Sequence, residues 1–211
     1  MFRLKTEKEA TDEESMVRFQ NGDAGCFDLI LERHGGGVLR FIMKMIGLDK
    51  VRSEDLLQEV FMKVIERRMQ YDQHQKFSTW LYSIARNHCI DFLRNEEHRR
   101  HASLDAPLNY QENDAPVVID FIKSRERDQE AIAIDRETQE LLQEGIRELR
   151  EEYRDVFLLR EVEGLPLEQI ATITEAPLST VKSRLRYAYR DLRDMFIKHG
   201  YFREEQRVKE V

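Results

Sequence analysis

Residues 167–196 read LEQIATITEAPLSTVKSRLRYAYRDLRDMF, and this stretch decides the fold class. Leu167, Ile170 and Ile173 recur at helical spacing directly behind Pro166, a residue suited to opening a helix. The turn Thr174-Glu175-Ala176-Pro177 ends that short helix. Ser179 is then expected to cap a longer one whose inner stripe is Val181, Leu185, Ala188, Leu192 and Phe196. With that stripe turned inward, Lys182, Ser183, Arg186, Tyr187 and Arg190 share the opposite face. A short helix, a tight turn and a longer basic helix make a helix-turn-helix, whose second helix enters the major groove with its first turns on base edges. Hydrogen-bond donors on that face suit guanine edges and phosphates, whereas the plainer alternative is a solvated basic face on a packing helix. Ser179 and Thr180 lie at the helix N-terminus, where amides and the dipole attract phosphate, although Ser179 is equally explained as a cap. Arg184, at the edge of the inner stripe, suits a backbone phosphate or a salt bridge to the helix around Leu141 and Ile146 that precedes this pair.

That preceding helix is acidic. The net charge of −7 argues against nucleic acid, but the charge is unevenly spread. Between Ala176 and Arg203 seven cations stand against Asp191 and Asp194 alone, while Glu126 to Glu152 holds ten acids and four arginines.

Helical periodicity extends through the rest of the chain. Thr11 with Glu14 forms a capping box for a helix to about Gln20, and Asp23 is placed to cap the next, which contains Phe27, Ile30 and Leu31. Gly35-Gly36-Gly37 predicts a kink or break before Val38, Leu39, Ile42, Met43 and Ile46 resume the pattern, because consecutive glycines carry a large backbone entropy cost. Ser53 is expected to cap a helix with the stripe Leu56, Leu57, Val60, Phe61, Val64 and Ile65, leaving Glu54, Asp55, Gln58 and Glu59 outside it. Tyr71 to Lys76 is a loop. Ser78 then caps a long helix that buries Trp80, Leu81, Ile84, Ala85, Phe92 and Leu93 and turns Tyr82, Arg86, Asn87 and Asp91 outward. From Ser103 to about Gln129 periodicity is poor and Pro107 and Pro116 intervene, which marks a linker whose apolar patch, Val117 to Ile122, is expected to dock somewhere. Helices around Leu141, Leu142, Ile146 and Leu149 and around Val156, Phe157, Leu159 and Val162 complete the chain, and no strand pattern emerges. The expected fold is all-α: two small helical domains joined by a flexible acidic linker.

Enzymatic readings find little support. Cys26 and Cys89 lack a metal-binding or disulfide spacing, which fits a reducing, cytoplasmic setting. His98 and His101 lie among Arg99 and Arg100, which would repel a cation, and His88 with Asp91 is a weak candidate for acid–base work. No cofactor, metal or small-molecule substrate is expected, and because no stretch approaches the roughly 18 apolar residues of a span, no membrane insertion is expected either.

Two further segments carry a family resemblance. Ser53-Glu54-Asp55-Leu56-Leu57-Gln58-Glu59-Val60-Phe61 and Phe77-Ser78-Thr79-Trp80-Leu81-Tyr82-Ser83-Ile84-Ala85-Arg86-Asn87 resemble the polymerase-docking and promoter-melting helices of extracytoplasmic-function (ECF) RNA polymerase sigma factors, in the sigma-70 superfamily. Leu167-Glu168-Gln169-Ile170-Ala171 with Ser179-Thr180-Val181-Lys182-Ser183-Arg184-Leu185 is similar to the helix-turn-helix of their region four. The resemblance covers roughly Asp12 to Phe196 apart from the linker. It departs at Gly35-Gly36-Gly37, usually continuous helix, at Ser179, often glycine, and at Tyr187 and Tyr189, usually arginine.

The resemblance implies a region-two domain over 12–102, a linker over 103–134, a region-four domain over 135–198 and a tail over 199–211. Asp55, Gln58 and Glu59 would dock on the coiled coil of the largest subunit of core RNA polymerase, with the polymerase flap as a second contact. The minus-ten element would be read by Tyr71, Lys76, Phe77, Arg86, Asn87 and Asp91, with Tyr71 and Phe77 stacking on an extruded base or walling its pocket. The minus-thirty-five element would meet Ser179, Thr180, Lys182, Ser183, Arg184, Arg186, Tyr187 and Arg190. Implied partners are core polymerase, promoter DNA and an anti-sigma factor. A stand-alone helix-turn-helix regulator is the alternative, but it leaves the helices from Ser53 to Arg100 without a task.

Overall fold

The computed structural model describes residues 10–47, 49–102 and 133–201, with side chains omitted at 100–102 and 133–137. The expected linker from Ser103 to Gln129, its apolar patch Val117 to Ile122, and most of the tail lie outside the described residues. The described elements are α1 (Asp12–Gln20), α2 (Gly25–Ile46), α3 (Lys50–Glu66), a 3₁₀ turn (Arg68–Gln70), α4 (Phe77–Ala102), α5 (Ala133–Glu148), α6 (Glu151–Phe157), a π-helical turn (Leu158–Val162), α7 (Leu167–Ile173) and α8 (Leu178–Lys198). They group into two compact units, one built on the helices up to Ala102 and one on those from Ala133 onward. Among the described residues no helix is long and apolar enough to cross a membrane.

The N-terminal unit is organised around α2, which packs against α1, α3 and α4. Its buried residues are Cys26, Ile30, Gly35, Val38, Phe41, Ile42, Met43 and Met45. The break expected at Gly35-Gly36-Gly37 does not occur: α2 runs uninterrupted through all three. Three glycines cost about 3 kcal/mol against alanine in a helix. Burying Val38, Phe41 and Ile42 returns about 1.5–3 kcal/mol each, so packing outweighs propensity. α2 stops only at Gly47, whose φ of +74° makes the left-handed C-cap.

The capping box of Thr11 and Glu14 is present, each side chain bonded to the other's backbone N–H at 3.0–3.1 Å. Asp12, just inside α1, ties it to α2 through His34 Nε2 at 2.8 Å and Arg33 Nη1 at 2.9 Å, and these partners hold its carboxyl down to about 2.

Four caps differ from expectation. The N-cap of α2 is Ala24, since the Asp23 carboxylate is engaged by Arg18 at 2.5 Å and by the Cys26 thiol at 3.3 Å. Asp49, not Ser53, caps α3 by accepting the Arg52 N–H at 2.9 Å. Ser53 is buried one turn in, its hydroxyl donating to the Asp49 carbonyl, because the earlier aspartate extends the helix. Ser78 lies inside α4, which starts at Phe77, whose N–H donates to Glu13 Oε1 at 3.3 Å. Ser179 lies inside α8, whose N-cap is Pro177; the ring fixes φ near the required value without a side-chain bond.

The buried face of α4 is also wider than expected. Tyr82 is buried edge-on against Phe41 at 5.7 Å, and Cys89 and Ile90 are buried too, while Trp80, Phe92 and Leu93 are only half-buried. Contact with both α2 and α3 broadens the apolar arc beyond one stripe. Neither Cys26 nor Cys89 is joined in a disulfide, and burial pushes the Cys89 thiol up to about 12.

In the C-terminal unit α5 and α8 approach closely at Gly145, where a β-carbon would collide with Met195 Cε and lie 2.9 Å from Leu192 Cδ2. The Arg154 guanidinium donates to the carbonyls of Ile146 (3.0 Å), Leu149 (2.8 Å) and Arg147, closing the end of α5 that would otherwise leave acceptors unmet. Gly164, at φ +68°, turns the chain from the π-helical segment toward α7.

Continuity of α2 yields a stability prediction. Gly36 is exposed, and a β-carbon there would meet only Arg40 Nη1 at 3.7 Å, an ordinary contact. Gly36→Ala is expected to stabilise the N-terminal unit by about 0.5–1 kcal/mol. Urea unfolding followed by fluorescence of Trp80, the single tryptophan, measures it; an unchanged or lower midpoint would contradict an unbroken helix.

Candidate nucleic-acid and protein interfaces

On α3 the buried residues Leu56, Val60, Phe61 and Val64 face the core and leave Asp55, Gln58 and Glu59 exposed on the other side. Spacing by three and four places Val51, 70% exposed, and Met62, 54% exposed, on that same surface, so it is apolar as well as acidic. The sequence left Met62 outside the apolar stripe but gave no sign that Val51 would join it, since α3 begins earlier than Ser53.

Glu59 is not simply solvated. Its Oε2 lies 2.8 Å from Nε2 of His88 on α4, while Lys63 Nζ lies 2.9 Å from His88 Nδ1. A lysine ammonium can only donate, so Nδ1 is the acceptor and the imidazole proton resides on Nε2, which lies beside Glu59 without an aligned hydrogen bond to it. Burial, then the Lys63 charge, push the His88 pKa below its ordinary value, against the pull of Glu59 and Asp91. This clip between α3 and α4 has no sequence signature, because its three members come from two helices whose pairing spacing does not reveal.

The loop after α3 is anchored from α1: Gln20 Nε2 donates to the carbonyls of Arg68 (2.6 Å) and Tyr71 (2.9 Å). Tyr71 and Phe77 are buried and 5.8 Å apart, with Trp80 5.3 and 6.1 Å from them. The Tyr71 hydroxyl donates to the Gln75 carbonyl, and burial raises its pKa to about 12. Of the two roles expected for Tyr71 and Phe77, stacking and walling, this packing opposes stacking, since neither ring is exposed. Lys76 is exposed and reaches Glu13 at 3.5 Å. On α4, Asn87 and Asp91 are exposed one turn apart, and Arg86 donates to Asn87 Oδ1 at 3.3 Å.

On α8 the buried residues are Val181, Ala188, Leu192 and Met195, with Leu185 and Phe196 half-buried. Ser179, Lys182, Arg186 and Arg190 are exposed; Thr180, Ser183, Arg184 and Tyr187 are half-buried. The Thr180 N–H is already taken by the Pro177 carbonyl at 2.9 Å, and the Ser183 hydroxyl donates to the Thr180 carbonyl at 2.9 Å, so the expected phosphate-binding amide at Thr180 is committed within the chain. Both tyrosines of α8 turn toward α6 or the turn that follows it. Tyr187 meets Tyr153 with ring centroids 5.6 Å apart. Tyr189 meets Phe157 at 5.8 Å and donates to Glu161 at 2.5 Å; burial, then this bond, raise its pKa to about 12.

Residues 30–99 match the family model for Sigma-70 region 2, and residues 139–192 that for Sigma-70, region 4. The RNA polymerase sigma-H factor of Pseudomonas aeruginosa is 30% identical over 82% of this chain and 88% of its own length. The ECF RNA polymerase sigma-E factor of Escherichia coli K12 is 29% identical over 84% of this chain and 90% of its own. Among solved structures, CnrH in complex with the cytosolic domain of CnrY shares the fold with a TM-score of 0.64 at 15% identity, over 90% of this chain and 99% of that one. The sigma factor RpoE in complex with the anti-sigma factor NepR, from Bartonella quintana, does so at 0.63 and 18%, over 81% and 96%.

The His88 clip predicts a pH dependence. With its folded pKa depressed below the ordinary 6.5, His88 stabilises the N-terminal unit fully above 6.5 and loses that contribution as pH falls toward the folded pKa. The drop in urea midpoint between about pH 7.5 and about pH 5.5 is expected to be smaller in His88→Gln than in the native chain. Equal drops would show that the imidazole is not held neutral.

Proposed function

The chain belongs to the ECF group of the sigma-70 family and is an RNA polymerase sigma factor directing transcription initiation, and we propose how its residues divide that task. The protein is no enzyme; its work is binding. Residues 12–102 form the region-two domain, 103–134 the linker, 135–198 the region-four domain and 199–211 a tail. The observation that carries the proposal is that α3 and α4 bury their apolar sides in the same unit while keeping Asp55, Gln58 and Glu59, and Asn87 and Asp91, exposed.

Asp55, Gln58 and Glu59 offer carboxylates and an amide to the coiled coil of the largest polymerase subunit, a basic partner surface, with charge complementarity setting encounter and register. Docking engages Glu59 and so competes with its contact to His88. On α4, Asn87 and Asp91 read the exposed edge of an extruded minus-ten base, Arg86 and Lys76 contact the strand backbone, and Tyr71 and Phe77 wall the pocket from behind. In region four, Lys182 and Ser183 face base edges of the minus-thirty-five element in the major groove, and Ser179, Arg184, Arg186, Arg190 and the side chain of Thr180 approach the phosphates. The flap of the polymerase is the second contact with core enzyme. A dedicated anti-sigma factor would occupy the same surfaces in the resting state, in the cytoplasm where polymerase works.

Promoter-specific transcription from a randomised promoter library, by purified core polymerase with and without this chain, tests the whole. Asp55→Arg with Gln58→Ala is expected to weaken core binding while leaving helix content unchanged, because neither side chain belongs to the buried stripe. Unaltered affinity in a polymerase pull-down would remove the docking assignment. Asn87→Ala or Asp91→Ala is expected to change preference only within minus-ten bases; a changed response to the upstream element would overturn the domain division.

A further inference from the structure

Tyr187 stands where the family usually has an arginine, and it is surrounded by arginines. The guanidinium of Arg186 lies 5.3 Å from its ring centroid and that of Arg190 lies 4.9 Å from it. The ring itself meets Tyr153 of α6 at 5.6 Å, and the far end of this row is the Arg150 guanidinium, 5.8 Å from the Tyr153 centroid. Three cations are therefore held on two aromatic rings, all within the roughly 6 Å at which a ring quadrupole attracts a guanidinium. Arg190 is fixed further, one edge of its guanidinium donating to Asp191 Oδ1 at 2.7 and 3.0 Å while its face lies against Tyr187. Arg150, Arg186 and Arg190 are all exposed.

We propose that the row Arg150, Tyr153, Tyr187, Arg186 and Arg190 is a phosphate clamp for the DNA duplex that α8 engages, with Tyr187 as a positioning residue and Arg150, outside the helix-turn-helix, as a further phosphate contact. The inference rests on α8 being the helix that faces the minus-thirty-five element. Arginine loses side-chain freedom whenever it is held for a phosphate, and a ring that already restrains the guanidinium plane reduces that cost on binding. Guanidinium groups spaced along a surface match phosphates along a strand and carry no base preference of their own. A tyrosine at this position thus gives up the direct contact an arginine could make and orders two neighbouring arginines instead. The carboxylate of Asp191 lies at the rim of the row and leaves Arg150 and Arg186 as its least neutralised members.

The test uses holoenzyme assembled from the full chain and core polymerase. Its probe is the duplex that the native holoenzyme recovers from a randomised upstream library, together with all single base-pair variants, each titrated over a series of salt concentrations. Arg150→Ala is expected to weaken binding evenly across the variants and to lower the log–log salt slope by about 0.9, the loss of one phosphate contact. Tyr187→Leu is expected to weaken binding by about threefold to thirtyfold, again evenly, and Tyr187→Phe, which keeps the ring, to remain close to native. An unchanged slope for Arg150→Ala, a Tyr187→Leu loss confined to particular base pairs, or a Tyr187→Phe defect as large as that of leucine would each overturn the clamp. Lys182→Ala, measured in parallel, separates the two levels. A base-pair-selective loss there with silent Arg150 and Tyr187 variants sinks the clamp alone, whereas silence of all of them sinks the orientation of α8 on which it rests.

Discussion

The N-terminal unit depends on the burial of α2 along its whole length. α1, α3 and α4 all use it as a wall, so a chain break at its three glycines would remove the surface against which each of them places its apolar side. The exposed faces follow from this. Asp55, Gln58 and Glu59 point away because Leu56, Val60 and Val64 are drawn toward the core, and Asn87 and Asp91 point away because Ile84, Ala85 and Cys89 are buried. A recognition surface made this way needs no strained backbone and no buried charge: it is the remainder left after packing is complete.

In the C-terminal unit two different devices set the same helix. Glycine at 145 lets α5 come close to α8 near Leu192 and Met195, while the tyrosines pin α8 to the α6 segment through Tyr153, Phe157 and Glu161. Short helices such as α6 and α7 would be marginal in water by themselves, so their persistence is a property of these contacts rather than of propensity. Arg154, spanning from α6 to three carbonyls at the end of α5, serves the corner where α5 stops and α6 starts.

Most of the architecture was legible in apolar spacing, since Val181, Ala188 and Leu192, or Leu56, Val60 and Val64, repeat at the helical period whatever surrounds them. The Thr11 box was legible because both of its partners lie within one turn. Ser53, Ser78 and Ser179 misled for a related reason: a capping residue type marks a neighbourhood, and Asp49, Phe77 and Pro177 nearby take over the boundary. The burial of Tyr82 and the clip of Glu59, Lys63 and His88 were hidden, being set by which helices meet. So was the pairing of Tyr187 with Tyr153. Its residues are more than thirty positions apart, and nothing in a basic helix announces that one of its aromatic side chains faces inward to organise its neighbours.

The two cysteines have a practical consequence. The chain holds only Cys26 and Cys89, both buried, and the thiol of Cys89 stays protonated throughout the neutral range because burial lifts its pKa to about 12. The thiolate is the reactive form, so the folded protein offers alkylating reagents almost nothing to modify. A cysteine introduced at an exposed position such as Met62 or Asn87 would therefore react alone under native conditions, and the natural sequence already serves as a silent background for attaching a fluorophore or spin label.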